Sequence, residues 1–191
     1  IEAQGVPATA ITVKPNFLMP DPGYSTERPP SAPFVFVGRA TPEKGLTWLL
    51  TAYAAYRAKC EEVLEVRKLL IVGSDNSDTA GTNIPEGVEF IGHQPATNVI
   101  EILKNAVCAL VPSLWEEPFG RVVVESYSVG TPVIVSRIGG LPELVHEGFT
   151  GFIVDPGDTK SLALSMERIA HKESWLPMSK AARNIYTNQY S

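Results

Sequence analysis

The feature of this 191-residue sequence that most constrains its fold is an alternation. Six short, largely apolar runs, at residues 34–37, 69–72, 88–91, 107–111, 132–135 and 151–154, are separated by stretches with helical spacing. Their length and β-branched content mark the runs as buried strands. The helical patterns cover residues 46–63, 97–104, about 120–129, 141–146 and 159–190, with a break expected near Pro177. Strands that are apolar throughout, joined by helices, predict a parallel sheet covered on both faces. The expected fold is a Rossmann-like three-layer α/β sandwich of about six strands. In such sheets ligands bind outside the carboxyl ends of the strands, where the loops leave.

The rest of the composition narrows the class. A chain that is 44% apolar, burying ~70% of its unfolded surface, supports one self-sufficient core. No run approaches the ~18 consecutive apolar residues of a membrane span. Sixteen basic against 21 acidic residues argue against nucleic-acid binding. Cys60 and Cys108 are isolated thiols and form no disulfide framework, which points to a reducing, cytoplasmic setting. Seven of the sixteen prolines (Pro7, Pro15, Pro20, Pro22, Pro29, Pro30 and Pro33) lie in the first 33 residues. Proline locks φ and lacks an N–H, so residues 1–33 read as an extended connector and 34–191 as the compact domain. The chain opens at Ile1 without an initiator methionine or the basic and apolar regions of a signal peptide, which suggests a fragment or a processed product.

Three loops after strands carry the chemistry. The first, Gly38-Arg39-Ala40-Thr41-Pro42-Glu43-Lys44-Gly45, delivers two cations to a helix start. An Arg fork and a Lys point charge there suit a diphosphate. It is neither a P-loop, since Gly45 follows Lys44, nor a GxGxxG fingerprint. Read alone, such a loop is more often a solvated turn. The second loop runs from Pro112 through Glu116, Glu117, Pro118 and Phe119 to Gly120 and Arg121. The amides of Gly120, Arg121 and Val122 fall among the unpaired donors of a first helical turn, and Glu125 lies about two turns in. These carboxylates suit sugar hydroxyls, but Glu117 favouring the helix dipole and Glu125 pairing with a lysine account for them equally well. The third, Ser136-Arg137-Ile138-Gly139-Gly140-Leu141-Pro142-Glu143, pairs glycines that let the backbone pass close to a neighbour or ligand. His93 follows Gly92 at a strand end and borders the same region, whereas His146 and His171 read as ordinary core or surface residues. Asp75 and Asp78 lack the rest of a calcium loop, and no Cys or His spacing fits a metal.

As a set, these residues resemble the retaining glycosyltransferases of the GT-B fold, family 4 (glycosyl transferases group 1). The likeness is carried by Val37-Gly38-Arg39 through Lys44-Gly45, by Glu117-Pro118-Phe119-Gly120 with Glu125 eight positions after Glu117, by Gly130-Thr131-Pro132, and by Gly139-Gly140-Leu141-Pro142-Glu143. Gly148-Phe149-Thr150-Gly151-Phe152 and Asp155-Pro156-Gly157-Asp158 fit the same pattern, and Lys14-Pro15-Asn16-Phe17 resembles the interdomain crossover.

The resemblance implies the C-terminal, donor-binding half of a GT-B enzyme, with the N-terminal acceptor domain absent from this chain. Arg39 and Lys44 would neutralise the donor diphosphate, and with Glu117 they form the implied catalytic set. Glu117, the first Glu of E-x7-E, would contact the transferred sugar, and Glu125 the ribose. Gly38, Phe119 and the Gly120, Arg121 and Val122 amides complete the implied donor site, with Gln94 at the base. A UDP- or GDP-sugar is the implied donor and a carbohydrate or lipid-linked sugar the acceptor. No cofactor or metal is implied, and a longer enzyme could sit at the inner membrane face. Ser126-Tyr127-Ser128-Val129 departs from the small apolar residues usual after the second Glu. A nucleotide-binding module without transfer activity and a GT-B sugar-nucleotide epimerase are the competing readings; a phosphorylase would need a cofactor lysine that is not recognisable here.

Overall fold

The computed structural model describes residues 7, 20–60, 66–75, 79 and 82–191. Residues 14–17 and most of the 1–33 connector, the expected end of the first helix past Cys60, and Asp78 lie outside the described residues.

Six strands form: β1 (Phe34–Val37), β2 (Leu69–Val72), β3 (Val88–Phe90), β4 (Cys108–Val111), β5 (Val133–Ser136) and β6 (Gly151–Val154). Between and after them run α1 (Leu46–Cys60), α2 (Ala96–Lys104), α3 (Arg121–Ser128), α4 (Leu141–Leu144), α5 (Thr159–Ala170) and α6 (Lys172–Gln189). The strands make one sheet in the order β3-β2-β1-β4-β5-β6. Every pairing is parallel, with Phe34 opposite Leu69 on one side and Cys108 on the other. This is the expected Rossmann-like three-layer α/β fold.

The period-two pleat explains why both faces are apolar. Phe34, Phe36, Leu69, Ile71 and Leu110 pack with Leu49, Tyr53, Leu162 and Met166 of α1 and α5. The alternate residues Val35, Ala109, Val133 and Val135 pack with Val123 and Tyr127 of α3 and Ala182 and Tyr186 of α6. The central strands are therefore buried on both sides and carry no polar alternation to read.

The strand order reverses direction between β1 and β4. From β1 the chain leaves through α1 toward β2, whereas from β4 it leaves through α3 toward β5. The two loops diverge from adjacent strands and open a crevice, the ordinary place for a ligand in an open α/β sheet.

The C-terminal helical stretch differs from expectation. It breaks at His171, whose backbone is extended (φ −79°, ψ 134°), and Pro177 sits inside α6. Pro177 is exposed and lies near the start of α6, where its missing N–H leaves only a carbonyl of the first turn unmatched. The bend at His171 lets α6 change sides. Its early residues Trp175 and Met178 join the core beneath α5, while Ala182 and Tyr186 join the opposite one.

Arg28 anchors the segment ahead of β1 to the domain. All five of its N–H donors are used: Nε on the Ala106 carbonyl (3.1 Å), Nη1 on Ser25 and Glu27 (2.8 and 3.1 Å), Nη2 on Val129 and the Thr131 hydroxyl (2.9 and 3.3 Å). Ala106 and Val129 lie at the carboxyl ends of α2 and α3, where helical carbonyls lack partners and a cation is favoured. Arg183 pairs with Asp21 (2.5 Å) a few residues upstream. Residues 20–33 thus lie against the domain at the end of the sheet opposite the crevice.

Candidate functional site

The crevice is built from main chain first. Gly45 adopts a left-handed backbone (φ +69°) directly over the Pro112 carbonyl, where a Cβ would come within 1.9 Å of the oxygen. Beside it the Leu114 N–H donates to the Glu43 carbonyl (2.7 Å), fastening the β1 loop to the β4 loop. Gly139 and Gly140 pack on the backbone of Glu117 and Pro118, and the Gly140 N–H donates to the Glu117 carbonyl (2.8 Å). The glycine pair read as a close approach in the sequence is a close approach to the Glu117 segment. Across β2, the Ser74 hydroxyl donates to the Gly38 carbonyl (2.9 Å) and the Gly73 N–H to the Gly92 carbonyl (2.7 Å). The loops at Arg39, Gln94, Glu117 and Gly139 all leave the carboxyl ends of parallel strands, so they share one rim.

Within that rim lies a cavity of about 180 Å³ lined by Phe36, Val37, Lys44, Leu110, Val111, Pro112, Ser113, Glu117, Gly120, Arg121 and Val122. Five of the expected site residues meet there: Lys44, Glu117, Gly120, Arg121 and Val122. Lys44 sits in a single 3₁₀ turn, Pro42–Lys44, that Gly45 closes. Its Nζ donates to Glu117 Oε2 at 2.5 Å, with both side chains partly shielded. Gly120 caps α3 in the left-handed conformation (φ +73°). The next two residues therefore carry first-turn amides with no helical acceptor ahead of them. Those amides and the helix dipole make the cavity's α3 side favourable to an anion.

The other expected residues sit around the cavity rather than in it. Arg39 is exposed, and its side chain makes no hydrogen bond or ion pair among the described residues. Glu43 is held below its usual range by its own backbone N–H and the Thr41 hydroxyl, and in smaller part by the Arg39 charge. Gln94 donates to the Ile91 carbonyl (2.7 Å) and accepts from Asn98 (3.3 Å). His93 is exposed next to it. Phe119 turns its ring edge-on to Tyr190, 6.5 Å between centroids. Gly38 closes β1 under Ser74.

Glu125 is largely buried one turn beyond Arg121, which donates from Nε to its Oε1 at 2.8 Å. Burial pushes its carboxyl above the usual range, with the Arg121 charge partly opposing. The folded chain therefore holds this proton more tightly than the unfolded chain, and stability is lost as pH rises through the shifted value. Glu125→Gln is expected to raise the thermal midpoint at pH 7, with the gain shrinking toward pH 4 as the unfolded carboxyl also takes up its proton. Equal gains at both pH values would refute this.

Sequence reasoning missed the cavity floor. Phe36, Val37, Leu110 and Val111 are strand ends, and Ser113 is buried with its hydroxyl unpartnered among the described residues. The available signal was position: each lies in the last two residues of a strand or within two residues after it.

A family model for glycosyl transferases group 1 matches residues 25–190. The chain belongs to that family. It is similar to an uncharacterized glycosyltransferase of Methanocaldococcus jannaschii, 30% identical across 80% of this chain and 44% of that protein. Among solved structures it resembles a sucrose-phosphate synthase from Thermosynechococcus elongatus, with TM-score 0.72 and 30% identity over 85% of this chain and 42% of that one. It also shares its fold with Anabaena HepE, solved in complex with UDP-glucose, at TM-score 0.70 and 24% identity over 84% and 45% of the two chains. The chain spans less than half the length of each of these relatives. Within the group 1 glycosyltransferases the Rossmann-like sheet seen here is the one expected for the C-terminal half of a GT-B fold. Among the described residues, no helix is long and apolar enough to cross a membrane.

Proposed function

We propose that this chain is the donor-binding domain of a family 4 retaining glycosyltransferase. In this reading it holds a UDP- or GDP-sugar for transfer to a carbohydrate or lipid-linked acceptor in the cytoplasm. The observation that carries the reading is the meeting of Lys44, Glu117 and the first turn of α3 over one cavity at the switch point of the sheet. HepE, a fold neighbour, was solved with UDP-glucose, which favours a nucleotide sugar here.

The cavity's ~180 Å³ is below the ~300 Å³ of an ordinary small-molecule site. It therefore suits the charged diphosphate and the adjoining sugar, while the nucleoside lies along the open rim toward Gln94. Arg39 reaches the diphosphate from solvent and Lys44 from inside the cavity. The Arg121 and Val122 amides complete a positive cradle that stabilises charge as the diphosphate departs, so the reading calls for no metal. Glu117 orients the sugar through its hydroxyls, and Glu125 takes the ribose. The acceptor is held by a second domain of the full protein.

Calorimetric titration with UDP, GDP and ADP, with their sugars and with the nucleosides tests this. A nucleoside diphosphate is expected to bind far more tightly than its nucleoside. Binding by none of the three diphosphates overturns the reading. Incubated with donor and an acceptor panel, the chain is expected to bind without turnover. The reason is that placing a hydroxyl about 3–3.5 Å from the anomeric carbon requires the acceptor side. Multiple-turnover glycoside formation at ~1 s⁻¹ or faster would show that the acceptor side lies within these residues. Isomerised donor without acceptor would mark an epimerase instead.

A further inference from the structure

Two carboxylates are assigned to the donor, and each is already engaged by a cation: Glu117 by Lys44 at 2.5 Å and Glu125 by Arg121 at 2.8 Å. The second pair is ordinary helix geometry, one turn apart on α3. The first is not local. Lys44 and Glu117 come from different loops, 73 residues apart, and meet inside the cavity that both line. Lys44 therefore has two claimants, the Glu117 carboxylate it holds in this structure and an incoming diphosphate. The Arg39 side chain, by contrast, is exposed and makes no hydrogen bond or ion pair among the described residues, so meeting a diphosphate costs it little beyond its weak pull on Glu43.

We propose that the Lys44–Glu117 ion pair is a latch that the donor must open. While the pair is closed, Lys44 occupies Glu117 Oε2 and leaves only Oε1 to accept from sugar hydroxyls. A diphosphate captured first by Arg39 draws Lys44 onto its own oxygens, and the freed carboxylate then takes the sugar. Lys44 thereby acts as a positioning residue for Glu117 as well as a diphosphate contact. The latch makes full sugar recognition conditional on the diphosphate, because a free monosaccharide finds one Glu117 oxygen already taken. The loops need not move for this exchange, because Gly45 against Pro112 and Gly139 and Gly140 against Glu117 and Pro118 hold the two backbones together. Only side chains rotate.

The latch rests on the donor reading above and makes a prediction that this reading alone does not. Breaking the pair from the carboxylate side frees Lys44, so Glu117→Gln is expected to tighten UDP or GDP binding by roughly two- to fivefold, the scale of a partly shielded ion pair. Uridine or guanosine affinity stays unchanged. Simple repulsion between Glu117 and the diphosphate would also tighten binding, so the same substitution is made in a Lys44→Met background. There the latch predicts no gain, because no cation is left to free. Thermal unfolding of all four proteins, with Gln isosteric to Glu, shows whether each is folded, and Glu117→Asp supplies a second carboxylate-side variant with a shorter reach to Lys44. A gain that is absent when Lys44 is present, or that is just as large in the Lys44→Met background, overturns the latch while leaving the site intact. Failure of the unsubstituted chain to bind any nucleoside diphosphate overturns the donor reading, and the latch with it.

Discussion

Gly45→Ala is expected to cost about 3–5 kcal/mol of folding stability and to abolish nucleotide-diphosphate binding in whatever remains folded. Gly45 holds φ at +69°, a region that costs an L-residue roughly 1–2 kcal/mol. The larger part of the loss is steric. A Cβ would stand 1.9 Å from the Pro112 carbonyl oxygen and 3.0 Å from its carbon, both main-chain atoms that cannot rotate aside. The β4 loop must then lift, which breaks the Leu114-to-Glu43 hydrogen bond and separates Lys44 from Glu117. Gly148→Ala is the control: its φ is +73° with nothing within 4 Å of the added Cβ, so it meets the conformational cost alone. Denaturant unfolding of the two variants should differ by about 2–3 kcal/mol. Equal losses would mean that the contact with Pro112 contributes nothing.

Arg39→Ala is expected to weaken nucleoside-diphosphate binding by roughly 10- to 150-fold, the equivalent of about 1.5–3 kcal/mol for a charge-assisted hydrogen bond. Because Arg39 is exposed and engages no described side chain by hydrogen bond or ion pair, its removal should leave the unfolding midpoint nearly where it was. Lys44→Ala should fall at the upper end of that range. It deletes one diphosphate contact and also leaves the Glu117 carboxylate uncompensated beside the ligand. In both variants nucleoside affinity should hardly change. Calorimetry finding parallel losses for nucleoside and diphosphate would place these cations at the base or ribose instead.

The strands were legible because each is a short β-branched or aromatic run bounded by Gly, Pro or polar residues, and β1, β2 and β6 fall on the expected residues. The loops were legible as candidates because chemistry in such a sheet concentrates where strands end. What the chain order hides is adjacency. Nothing local says that β4 lies beside β1, yet that neighbourhood makes a pair of Lys44 and Glu117 across 73 residues. Read in isolation, Glu117 fitted a helix-dipole partner and Lys44 a surface charge. The same blindness concealed Arg28, whose acceptors Ala106 and Val129 become neighbours only when α2 and α3 end at the same side of the sheet. Pro177 misled for a different reason. A proline early in a helix sacrifices little, whereas the need for α6 to pass from one face to the other is a tertiary demand met at His171.

The glycine seams have an evolutionary consequence. Gly45 on Pro112, and Gly139 and Gly140 on Glu117 and Pro118, fix the rim through main-chain atoms alone. Between these seams project Leu114, Trp115 and Glu116, all exposed, Trp115 with 70% of its surface open. Their side chains can be exchanged without moving the backbone that presents Lys44 and Glu117. Mutation can therefore explore new surfaces on the β4 loop while the Lys44–Glu117 pair stays in register. A scaffold of this kind diversifies by repainting one short stretch, and its seam glycines are the positions where drift is least tolerated.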